Sequence, residues 1–139
     1  MGSYGFGVTV AVPPEEAVAR ITEALKAEGF GVLTEIDVQQ TLKQKLGQEM
    51  PPYRILGACN PTLAHQALER EPEIGLLLPC NVVVRAVDGQ TRVEIADPQA
   101  MLGIAGNPAL EPIAAEARAR LERALQAFAA AVQTAETRR

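Results

Sequence analysis

The sequence predicts an α+β protein, a two-layer sandwich with helices packed mainly on one face of a mixed β-sheet of about five strands. Three observations predict it. Apolar residues alternate at period two in several short stretches, the mark of strands with one buried face. Between them stand stretches whose apolar residues recur every three or four positions, the mark of amphipathic helices. The two kinds follow one another as β-α-β-α-β-α-β-β-α, and such connections suit helices gathered on one side of a sheet. The chain has 139 residues, a length that suits one domain with a core that needs no staples. Residues 1–133 read as that domain and residues 134–139 as a frayed tail.

The first strand is YGFGVTVAV. Tyr4, Phe6, Val8, Val10 and Val12 share one face, and Gly5, Gly7, Thr9 and Ala11 share the other, where small residues would let a second layer or chain come close. Pro13 and Pro14 suit a helix start, Glu15 and Glu16 favour its positive end, and Gly29 stops it. FGVLTEIDV alternates again, and QQTLKQKLG is a short helix with Leu42 and Leu46 one turn apart. YRILGAC is the third strand. Asn60 then caps a helix with Pro61 at its first position, running to about Glu71-Pro72. GLLLPCNVVVRAV is strongly strand-forming, but Pro79 cannot donate to a ladder, so an edge position, a bulge or two short strands are expected there. Asp88-Gly89 is a hairpin signal leading into QTRVEIA, with Val93 and Ile95 inward. Asp97-Pro98 opens a short helical turn around Met101 and Leu102. The last helix carries Leu110, Ile113, Ala114, Ala117, Leu121, Leu125, Phe128 and Val132 at helical spacing.

Several function classes are disfavoured at once. The thirteen Lys and Arg residues are scattered and the net charge is −4, whereas phosphate binding needs clustered cations. No apolar run reaches the length of a spanning helix, and no N-terminal basic-then-apolar signal is visible. A soluble, cytoplasmic protein with neither nucleic acid nor membrane as partner is expected. Ser3 is the one serine, so a serine triad fails, and no glycine-rich phosphate loop is present. Among the carboxylates, Glu94 and Asp97 near the hairpin strand are the ones to check. No cofactor is implied.

The chemistry-bearing stretch is ACNPTLAHQALEREPEIGLLLPCNVVV. It holds both cysteines, Cys59 and Cys80, each followed by asparagine, with the single histidine, His65, between them. If strands 53–59 and 75–87 pair in parallel across the intervening helix, Cys80 comes level with about residue 58 and both thiols sit at one end of the sheet. The helix N–H groups there would lower a thiol's pKa and attract anions. The competing reading is that both are buried small hydrophobes, since Cys59 follows ILGA and Cys80 follows LLLP. A metal would draw on Cys59, Cys80 and His65, with Glu71 or Asp97. His65, however, lies outside the stripe of Leu63, Ala64, Ala67 and Leu68, so a solvated histidine and no metal are expected. Asn60 reads as a cap, and Asn81 as a partner for backbone freed at Pro79; for both, a ligand-facing amide is the alternative.

The segments KLG, PPYRILGACNP, LAHQALEREPEIGLLLPCNVVV and the later DP resemble the prokaryotic domain of unknown function 302 family. The resemblance covers nearly the whole chain and is densest from Lys45 to Pro98. It implies a small bacterial or archaeal α+β domain with a fold similar to the TATA-binding-protein type, homodimers among its members, and no agreed activity to carry over. Two function classes stand side by side. One is a non-enzymatic, homodimeric small-ligand binding or sensing module using Cys59, Asn60, Pro61, Cys80 and Asn81. The alternative is a thiol-dependent redox, sulfur-transfer or metal-handling protein using Cys59 and Cys80.

Overall fold

In the computed structural model, which describes residues 4–138, the segments follow one another as β1 (Gly5–Val10), α1 (Pro14–Ala27), β2 (Gly31–Asp37), α2 (Val38–Leu46), β3 (Tyr53–Cys59), α3 (Pro61–Arg70), β4 (Cys80–Val87), β5 (Gln90–Ala96), α4 (Pro98–Gly103) and α5 (Glu111–Arg138). Short 3-10 turns occupy Pro72–Leu77 and Pro108–Leu110. The Asp37 carboxylate accepts from Gln40 N–H at 2.9 Å and caps α2, so the helix opens at Val38 and takes over the end of the stretch expected as strand; Gly47 ends it in the left-handed region at φ 67°. Asp88 and Gly89 take φ values of 50° and 78°, the two positive angles that a tight β4–β5 hairpin needs.

The sheet order is β1-β5-β4-β3-β2, and every neighbouring pair is antiparallel. The mixed sheet expected from the sequence is not formed. β1, β4 and β2 run one way and β5 and β3 the other, so no two parallel strands are neighbours; β1 and β2 form the opposite edges, with α1 connecting them. The expected parallel pairing of β3 with β4 fails because α3 and the 3-10 turn double back at one end of the sheet instead of crossing it. The segment expected to open β4 is not strand before Cys80. Ile74 is buried in a local apolar cluster and winds the preceding residues into the 3-10 turn, which leaves Leu76 at the surface. Pro79 then stands just ahead of the first ladder residue, where no N–H is required.

One face of the sheet carries the core. Leu56, Ala58, Val82, Val84, Val93 and Ile95 pack against Ile21 and Leu25 of α1 and against Leu121, Leu125, Phe128 and Val132 of α5. A smaller second cluster, with Ala67, Ile74, Leu102, Leu110, Ile113 and Ala114, gathers at the end where α3, α4 and the start of α5 meet. On the opposite sheet face Arg85 binds Glu94 at 2.8 Å, and Arg92 lies 3.6 Å from the same carboxylate. Gly7 on that face answers to its own sheet, since a Cβ there would collide with the Val93 carbonyl oxygen. The backbone of α5 continues through Arg138, into the stretch expected as a frayed tail; Arg139 lies outside the described residues.

Candidate functional site

Cys59 closes β3 and Cys80 opens β4, and the register sets Cys80 opposite Ala58. The thiols therefore meet at one end of the sheet, by antiparallel pairing and not by a parallel crossover. Neither is in a disulfide. Together with Asn60 they line a cavity of about 330 Å³, walled by Phe30, Leu63, Ala67, Leu102 and Ile113 and lacking any charged side chain. It lies between the main core and the second cluster, to each of which it owes part of its wall. The stripe Leu63, Ala64, Ala67 and Leu68 faces this cavity, and of the four only Ala67 is fully buried.

Asn60 is 8% exposed. Its Oδ1 accepts from Leu63 N–H at 3.1 Å and its main-chain carbonyl accepts from Ala64 N–H at 2.8 Å, so it caps α3 as the sequence indicates. The helix start does not activate the thiols. Burial pushes Cys59 up, and Cys80 rises to about 11, through burial first and the neighbouring Cys59 second. Loss of hydration is the first cause for both thiols, and the Oδ1 of Asn60 already takes one of the N–H groups at the helix start. Both thiols are protonated at neutral pH and are poor nucleophiles in that state.

The other sequence candidates lie elsewhere. The His65 side chain is exposed and stands 3.6 Å from Glu69, away from the cavity. Pro61 is exposed and outside the cavity wall. Asn81 pairs with Gly57 in the ladder and, with Pro79 and Cys80, borders a smaller hollow of about 160 Å³. Glu71 accepts from Asn107 at 3.0 Å. Asp97 caps α4 through Gln99 N–H and is bound by Arg118, which also stacks over Phe6 at 4.8 Å. Glu94 is held below the usual carboxylate range, chiefly by its hydrogen bond from Arg85. Among the described residues no group of three His, Cys, Asp or Glu is placed to hold a metal ion. The walls given by Phe30, Leu102 and Ile113 are missed by sequence reasoning, because each sits in an ordinary apolar pattern that reads as core.

Fold and site define a small α+β sandwich with an apolar cavity at one end of an antiparallel sheet. The chain belongs to the family described as domain of unknown function DUF302, which matches residues 6–128. It is similar to a solved structure described as an uncharacterized conserved protein DUF302 from Bacillus stearothermophilus, with 35% identity, a TM-score of 0.84, and coverage of 90% of this chain and 98% of that one. No match was found among curated proteins. Among the described residues no helix is long and apolar enough to cross a membrane.

Proposed function

We propose that the protein is a non-enzymatic small-ligand binding or sensing module whose ligand occupies the cavity at the α3 end of the sheet. The observation that carries this reading is the cavity itself: about 330 Å³ with no charged residue in its wall, at the lower end of the roughly 300–1,000 Å³ typical of small-molecule sites. Cys59, Asn60 and Cys80 contribute to the wall, Pro61 fixes the chain direction beside it, and Asn81 stands at the adjoining hollow. The thiol-dependent alternative is weakened by the upward shift of both cysteines, and the candidate carboxylates Glu94 and Asp97 are engaged by arginines.

The acting form in this proposal is a homodimer. Edge strand β2 leaves Leu33 and Ile36 exposed, and α2 beside it buries no residue, so an unsatisfied apolar edge is available to a second copy. Free thiols favour a reducing compartment, which fits a cytoplasmic location. Native mass spectrometry of gently purified protein, combined with thermal shifts across apolar metabolites, tests the ligand reading. An empty protein that no compound stabilises overturns it. Light scattering on the eluted peak tests the dimer.

A further inference from the structure

The cavity beside the thiols has a floor and a mouth. In its wall Ala58, Ala67, Leu102 and Ile113 are buried, Leu63 is half-buried, and Leu33 and Leu68 are 68% and 41% exposed. The wall thus passes from core to surface without meeting a charged side chain. An irregularity in β2 helps to build the mouth. Val32 pairs with Ala58 and Thr34 with Gly57, so Leu33 is the extra residue of a bulge. A bulge re-aims its side chain, and Leu33 reaches the cavity rim although it lies on an edge strand. Exposed leucines are ordinary when scattered, but Leu33 and Leu68 carry the apolar wall of the cavity out to solvent.

A ligand seated here has two parts. The part on the floor is apolar and uncharged, because a buried charge needs a partner and the wall supplies none. The part at the mouth stands in water and is free to be polar. A volume of about 330 Å³ takes roughly ten methylenes at about 30 Å³ each, the share a water has in the liquid. We propose that the cavity takes the alkyl chain of a free single-chain amphiphile, its end against Ala67, Leu102 and Ile113 and its polar head in water beside Leu33 and Leu68. This rests on the ligand-binding reading above and adds the ligand's class to it. The chain belongs to a free molecule and not to a bilayer lipid, because no lysine or arginine lines the rim to hold a membrane headgroup.

Calorimetric titration of the full chain at pH 8 with straight-chain carboxylates from hexanoate to tetradecanoate, each below its micelle concentration, tests this. Affinity should rise about four-fold per added methylene while the chain fills the cavity, and level off near decanoate. Leu68 is exposed, so a charge there leaves the core intact. Leu68→Lys should bind decanoate roughly five-fold more tightly than Leu68→Glu, the effect of a surface charge beside the head, whereas decan-1-ol should bind the two variants alike. A series with no length dependence, an affinity that still climbs four-fold per methylene at tetradecanoate, or a decanoate affinity indifferent to the charge at position 68 overturns the inference. Ethylbenzene separates this from the reading it rests on. If ethylbenzene binds and no carboxylate does, the amphiphile is wrong and ligand binding stands; if neither binds, the ligand-binding reading falls with it. Flotation with phosphatidylcholine vesicles by a protein that binds no free carboxylate would make a bilayer the source of the chain and overturn the free amphiphile.

Discussion

A disulfide reagent that reports released thiolate measures how dry the cavity is around Cys80. Burial and the adjacent Cys59 raise this thiol to about 11. At pH 8 only about 0.1% of such a group is thiolate, against roughly a quarter of an unperturbed cysteine of pKa about 8.5. Thiolate is therefore scarcer by roughly 200-fold. Each thiolate gains about ten-fold in intrinsic nucleophilicity, at a Brønsted slope of about 0.4–0.5, so the net expectation is exchange roughly 20-fold slower than in the denatured chain. The rate should climb about ten-fold per pH unit and show no plateau below pH ~10. Cys59, raised by burial alone, should react first; peptide mapping by mass separates the two. If Cys80 in the folded protein reacted at pH 8 within about three-fold of the denatured control, or levelled off near pH 8.5, the cavity would not be the desolvated site described. The same shift links stability to pH. The folded pKa of Cys80 lies above the unfolded value, so its contribution is fully present below pH ~8.5 and is lost as pH rises through about 11. Cys80→Ala should flatten that alkaline limb in urea melts.

Three further substitutions probe the frame around the site. Asn60→Ala removes the cap on Leu63 N–H and should cost about 1 kcal/mol in urea unfolding, with Asn60→Asp close to the parent. Gly57→Ala places a Cβ against Thr34 Oγ1 and 2.9 Å from Pro79 Cγ, so a loss of about 1–3 kcal/mol is expected, partly recovered by adding Thr34→Ala. Phe128→Ala empties the centre of the α5–sheet contact, where the ring is wholly buried, and should lower stability by about 3–5 kcal/mol without moving the cavity.

The elements were legible wherever a residue's role is local. Asn60 and Asp88-Gly89 act through their nearest neighbours, and their positions announce them; Asp37 caps α2 equally locally but sits at the end of an alternating stretch that reads as strand. Strand direction was not legible, because it depends on whether α3 crosses the sheet or turns back, and no residue within α3 encodes that choice. The 3-10 turn was hidden for a related reason: GLLLP has the composition of a strand, and the burial of Ile74 among residues remote in sequence, Leu102, Leu110 and Ile113, overrides it. Both thiols stand at one end of the sheet because antiparallel register brings Cys80 opposite Ala58, the same level that a parallel crossover would have given it. The cavity was invisible, because Leu63, Ala67, Leu102 and Ile113 each look like core and only their joint arrangement leaves a space.

That space is maintained by small side chains. Ala58, Ala67 and Ala117 are each buried, and all three stand in the cavity wall where the main core and the second cluster approach one another. The hollow opens to solvent past Leu33 and Leu68, and the apolar side chains that border it lack the contacts that a closed core would give them. If it served only packing, a larger residue at one of the three alanines would close it. Ala117 is the sharpest case, because it lies on the long, well-anchored α5 and helix propensity changes little from Ala to Leu. Ala117→Leu should join the two clusters and raise stability by roughly 0.5–2 kcal/mol, the usual gain from filling a cavity. It should also abolish the thermal shift given by any apolar compound that stabilises the parent protein. A variant destabilised by more than about 1 kcal/mol would mean that the cavity cannot accept the added methyls and is too constricted to hold a ligand. A variant both more stable and unable to bind would show that the sequence leaves stability unused at this point, as expected where a binding site is kept open at the expense of the core.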